Sequence, residues 1–239
     1  MSVALDVAGD SLSRTTNLPT ITRFTMMGWF NLAVDRNAIT TLLCHGAATG
    51  TVTYLLCTDA TGTATNFRIN NVASAVGQSL AVNTWSHVAA VIFSAAQFSV
   101  VTVFNGVQDI VTDGDASITA GKFWIGNNAS SQFLNGRAAA VKVYSEALSQ
   151  EEIQLEMQQY LPVRTDNLNA FYPLLTISDQ TVDYSGAGNA LTLAGTLTTF
   201  DGPPIPWSMN RHRVFSRAAA AVFPPRPVVV SQAVAASLL

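Results

Sequence analysis

Apolar residues along the first 145 positions come in short runs separated by turn formers. The runs are 24–32, 42–44, 54–57, 67–70, 86–93, 98–104, 122–126 and 137–144. Between them stand Asn70-Asn71, Val82-Asn-Thr84, Asn105-Gly106, Asp113-Gly-Asp115 and Asn127-Asn128. Many short strands joined by such turns predict an all-β, antiparallel sandwich of the jelly-roll kind. Asn105-Gly106, set between 98–104 and 107–111, is a type I′ hairpin signal. In Val88-Ala-Ala-Val-Ile-Phe93 both alternating faces are apolar. That strand is expected to be central and covered on both sides, or to meet a partner.

One helix is predicted from Ser149. Ser149 and Glu152 have the spacing of a capping box, and Glu151 and Glu152 complement the dipole of the first turn. Ile153, Met157, Tyr160 and Leu161 then form a single apolar stripe, and Pro162 is expected to end the helix. The stripe is expected to pack on the sandwich.

The order turn, strand, capped helix in Phe133-Leu-Asn-Gly-Arg-Ala-Ala-Ala-Val-Lys-Val-Tyr-Ser-Glu-Ala-Leu-Ser-Gln-Glu-Glu-Ile153 resembles the closing signature of the laminin-G-like (concanavalin A-like) jelly-roll family. Asn83-Thr-Trp-Ser-His-Val-Ala89 is similar to that family's W-x-H-V-A strand, in which Trp and His are structural. Asn169-Ala-Phe-Tyr-Pro-Leu174 and Asp183-Tyr-Ser-Gly-Ala-Gly-Asn-Ala-Leu-Thr-Leu193 resemble the family's opening segment, but here they follow the closing helix. The resemblance implies a laminin-G-like sandwich over 1–162. Residues 163–202 then either fold back to complete that sandwich or begin a second module. Fold-back is favoured because so few residues bury little core alone. From 203 to 239, Pro-rich sequence predicts an extended arm.

Charge sharpens the division. Only 11% of residues are charged, and the net charge is −3. Residues 1–201 hold 8 basic and 15 acidic side chains, whereas 202–239 hold Arg211, Arg213, Arg217 and Arg226 and no acid. A basic trailing arm on an acidic body suggests docking on neighbours, with Trp207 and Phe223 as apolar anchors. Four arginines without lysine clusters are a thin patch for nucleic acid. Met1-Ser-Val-Ala-Leu-Asp lacks a basic and then apolar leader, and no apolar run approaches a membrane span. Cys44 and Cys57 read as buried free thiols.

Candidate chemistry is sparse. No alternating acidic triplet marks a glycosidase strand; Asp113/Asp115 read as a turn and Glu151/Glu152 as a cap. His45, His87 and His212 lie apart, without a nucleophile elbow. No catalytic, cofactor or confident metal residue is expected. Calcium is possible by resemblance at Asp6, in Leu5-Asp-Val-Ala-Gly-Asp10, but Ala139 and Ala140 stand where the family commonly has acidic residues. Trp29, Trp85 and Trp124 are expected in core packing.

The expectation is therefore a non-enzymatic structural protein of a virus particle. It would decorate a capsid or belong to a bacteriophage tail, with its arm gripping sister subunits or other virion proteins in an oligomer. The alternative is a lectin-like module that recognises host glycans.

Overall fold

The computed structural model describes residues 1–5, 10–14, 23–35, 38–46, 52–58, 64–69, 72–94, 97–103, 107–113, 121–128 and 132–205. Among these the strands are β1 Ser2–Leu5, β2 Ser11–Ser13, β3 Phe24–Leu32, β4 Thr41–Gly46, β5 Val52–Thr58, β6 Ala64–Ile69, β7 Val72–Ser79 and β8 Trp85–Ser94. They continue with β9 Gln97–Val103, β10 Val107–Asp113, β11 Lys122–Ile125 and β12 Gly136–Tyr144. After helix α1, Gln150–Met157, come β13 Leu168–Tyr172, β14 Thr192–Ala194 and β15 Thr198–Phe200. The strand set contains every run read from the sequence. It adds β7, whose Val-Ala-Ser-Ala-Val-Gly-Gln-Ser carries little β-branched or aromatic signal.

Two antiparallel sheets make the sandwich. The larger runs β10-β9-β8-β3-β12-β1-β15, with β13 also on β12; the smaller runs β14-β2-β11-β4-β5-β6-β7. Alternation directs one set of side chains inward. Phe24, Met26, Phe30, Val88, Ala90, Ile92, Val141 and Val143 from the larger sheet meet Leu12, Leu43, Leu56, Phe123 and Ile125 from the smaller. Strands β9 and β10 pair as the hairpin signal predicts, with Val107 opposite Thr102; their turn lies outside the described residues.

The larger sheet has a second core on its outer face. Met27, Ala89, Val91, Tyr144 and Phe171 pack there with Leu148, Ile153 and Leu161 from α1 and its flanks. This accounts for the apolar character of both faces of β8.

Helix α1 opens with the expected capping box, the Glu152 N–H donating to Ser149 Oγ and the Ser149 N–H to Glu152 Oε2. It ends at Met157, short of Pro162, so Tyr160 and Leu161 lie beyond it. Lys142 meets the carbonyls at this end. Its buried ammonium donates to the carbonyls of Glu156 at 2.9 Å, Gln159 at 3.0 Å and Leu161 at 3.4 Å, which satisfies acceptors that the ended helix leaves without backbone partners.

The segment after the helix returns to both sheets. β13 pairs with β12, β14 with β2 and β15 with β1. Its Tyr172, Leu174, Leu191 and Leu197 enter the main core. Residues 203–205 stay with the body: Pro203 is buried, and Ile205 packs against the cluster of Ala139, Ala140, Tyr160, Trp29 and Trp85.

Candidate functional site

The two outer faces differ in cover. On the larger sheet, α1 and its flanks occupy the face. On the smaller sheet, no described helix or strand packs over it; Ile39 is the described neighbour of its cluster of Cys44, Cys57 and Trp124.

Register lays this second face out in rows. One crosses five strands as Ser13, Trp124, Cys44, Leu55 and Arg68; the next holds Thr41, Cys57 and Asn66. Lys122, two residues before Trp124, shares the face. Thr41 is fully buried and Asn66 is 2% exposed, yet Thr41 Oγ1 and Asn66 Oδ1 have no hydrogen-bond partner, and the same holds for Arg68 Nε. An unmet buried polar group costs about 1–3 kcal/mol, so native structures pair such groups with water or a ligand. A hydroxyl, an amide oxygen and a guanidinium N–H together suit a partner that both donates and accepts. Hydroxyl groups do both.

Cys44 and Cys57 beside this row are free thiols. Burial, with the neighbouring Cys57, pushes the Cys44 thiol up, so it is inert.

Most described carboxylates already have structural work. Glu156 is buried against Lys142 and receives the Tyr144 hydroxyl; Glu152 caps α1 and pairs with Arg164. Asp183 accepts from the N–H groups of Phe171, Ser185 and Asn189, which shapes the loop after β13. Asp179 accepts from Leu175 and Thr176, and Asp10 from Thr196. Glu151 is exposed in the first turn of α1, where hydrogen bonds from its own backbone and from Ser149 lower its pKa.

Other sequence candidates scatter. Asp6, His212 and Asp115 lie outside the described residues, as do Trp207, Arg211, Arg213, Arg217, Phe223 and Arg226; of Asp113 only the backbone, at the end of β10, is described. Ala139 and Ala140 lie buried in the apolar cluster under Tyr160. That spot offers carbon where calcium needs oxygen, so a calcium ion does not fit there. Among the described residues no group of three His, Cys, Asp or Glu side chains comes together. His45 and His87 are buried, one against Phe24 in the core and one against Trp29 on the larger sheet. Trp124 is buried as expected. Trp29 and Trp85 are not core residues but half-buried on the outer face of the larger sheet, where they pack against the cluster of Ala139, Ala140 and Tyr160. Thr41, Asn66 and Arg68 escaped sequence reading because isolated polar residues in a strand carry no motif.

Comparison with known proteins agrees with this geometry. Residues 8–154 match a laminin-G family model described as the concanavalin A-like lectin/glucanases superfamily. The chain belongs to that superfamily. Among solved structures it resembles a candidate carbohydrate-binding protein from Bacteroides ovatus, at 17% identity and a TM-score of 0.62, over 87% of this chain and 62% of that one. It also resembles the heptameric SAP-like pentraxin of Limulus polyphemus, at 13% identity and a TM-score of 0.58, over 82% of this chain and 93% of that one. At these identities the likeness concerns the fold. No curated protein of similar sequence is found.

Proposed function

We propose that the protein is a lectin-like module that holds a saccharide on the outer face of its smaller sheet and performs no reaction on it. The observation that carries this reading is the set of buried, unpartnered polar groups, Thr41 Oγ1, Asn66 Oδ1 and Arg68 Nε, gathered on the outer face of the smaller sheet. The Bacteroides ovatus likeness supports the same function class. Glu156, Asp183, Asp179 and Asp10 are committed to loops and the Lys142 pair, which favours binding over hydrolysis.

A glycan array probed with the full chain tests the reading. Saccharide binding is expected, and Asn66→Ala and Thr41→Val should each weaken it by roughly tenfold, the worth of one buried hydrogen bond. An array without hits, or variants that bind as well as the parent, would sink it. Hydrolysis of a bound glycan that is lost in Glu151→Gln would overturn the non-enzymatic part.

A second reading, assembly into a virus particle, keeps one supporting observation. Ile205 packs, as Trp29 and Trp85 do, against the apolar cluster of Ala139, Ala140 and Tyr160, and the sequence that follows it, 206–239, carries four arginines and no acid. A chain ending at Ile205 should stay folded and fail to assemble. Normal incorporation of that shortened chain would remove this reading.

A further inference from the structure

Cations of the described body fall into two groups. Arg23 pairs with Glu146, Lys142 with Glu156 and Arg164 with Glu152. Arg137 lies over the Phe200 ring, 4.4 Å from its centroid, and Arg14 also has a partner. Lys122 and Arg68 have no carboxylate partner among the described residues. Both stand on the outer face of the smaller sheet.

The seven strands of that sheet contain no Asp or Glu. In a chain whose net charge is −3, this face is locally cationic. The charges are partly shielded, since Arg68 and Lys122 are both half-buried. Leaving two such cations uncompensated is unfavourable unless an anion completes them. Lys122 is on β11 and Arg68 on β6, with β4 and β5 between them. Three strand spacings and a two-residue offset along the strands put their backbones about 16 Å apart, too far for one carboxylate to reach both.

We infer that the saccharide held on this face is acidic and oligomeric, with one carboxylate or sulfate at Arg68 and another at Lys122. This rests on the saccharide reading above. Thr41 and Asn66, in the row beside Arg68 on the side away from Lys122, meet sugar hydroxyls, and the guanidinium fork at Arg68 grips an oxyanion by two parallel hydrogen bonds. Because the body is acidic overall, recognition is local, and affinity falls as salt rises.

The test scores the full chain on an array of matched oligosaccharide pairs that differ only by a carboxylate or a sulfate. The acidic members should bind about tenfold tighter than their neutral twins, as charge-assisted bonds are roughly twice as strong as neutral ones. Arg68→Ala and Lys122→Ala should each erase most of that preference, Arg68→Lys should restore part of it, and Arg137→Ala on the other sheet should leave it intact. Thermal melting checks that the variants fold; should Arg68→Ala unfold, Lys122→Ala at its strand end decides. Equal binding of neutral and acidic twins would overturn the acidic class and leave the saccharide reading standing. Equal binding of a single-stranded oligonucleotide would overturn it in favour of a general polyanion site. An array without any hit removes both.

Discussion

Lys142 can lie in the interior because its ammonium meets one carboxylate oxygen, at 2.7 Å from Glu156, and three backbone carbonyls. Burial lowers its pKa, and the attraction of Glu156 opposes the drop. Glu156 in turn accepts from Tyr144 and from the N–H groups of Val163 and Arg164. Removing only the cation strands a buried carboxylate. Lys142→Met should therefore cost about 3–5 kcal/mol in urea unfolding, while Lys142→Met with Glu156→Leu should recover much of the loss. A double variant no better than the single would refute this view of the pair. The two buried histidines give a second prediction at this scale. Burial lowers His87 to about 3 and His45 to about 4, below the 6.5 of an unfolded histidine. Below pH 6.5 the unfolded chain binds protons that the folded chain refuses, so stability is full above that pH and declines as pH falls toward 3–4. In His87→Leu the urea midpoint should fall less steeply over that window than in the parent.

Strand β12 is the element on which the molecule turns. It pairs with β3 along one side, while β1 and β13 share its other side end to end. The junction is a bulge: Ala139 opposes Trp29, Lys142 opposes Met27, and Ala140 takes a φ of +49° while donating its N–H to the Pro173 carbonyl. Opposite it sits Gly28, where a Cβ would press on Val141 and the Phe30 ring. A left-handed alanine stores about 1–2 kcal/mol of strain, so Ala140→Gly should be neutral to mildly stabilising in thermal melts, and Ala140→Val clearly destabilising. Ser149→Ala should cost about 1 kcal/mol by loss of the cap. The cap was readable because it needs only residues three apart. How the end of the helix is satisfied was not, because its carbonyls are met by Lys142, 14 positions before Glu156, from another element.

At the scale of the whole molecule, the region after α1 supplies strands to both sheets and side chains to the core. Deleting 163–205 would expose the β12 edge and remove Tyr172, Leu174, Leu191 and Leu197 from the interior, so the remainder should lack dispersed amide signals by NMR. A well-dispersed spectrum from that shortened chain would show an independent domain ending near residue 162. The region after α1 also meets the first residues: the Tyr160 hydroxyl donates to the Met1 carbonyl and Ser2 Oγ to the Asp201 carbonyl, with Gly202 alongside, where a Cβ would strike both Tyr160 and Met1.

Period-two apolar runs, turn residues and one capping box were enough to specify sheets, hairpins and helix start, because those signals act between near neighbours. They also explain why β8 has two apolar faces. Which strands lie side by side is settled only when the chain closes, and with it the meeting of Trp124, Thr41, Asn66, Arg68 and Lys122 on one surface. Those residues come from strands as far apart in sequence as Thr41 and Trp124, and a hydroxyl or an amide has no partner to lose until folding takes it out of water.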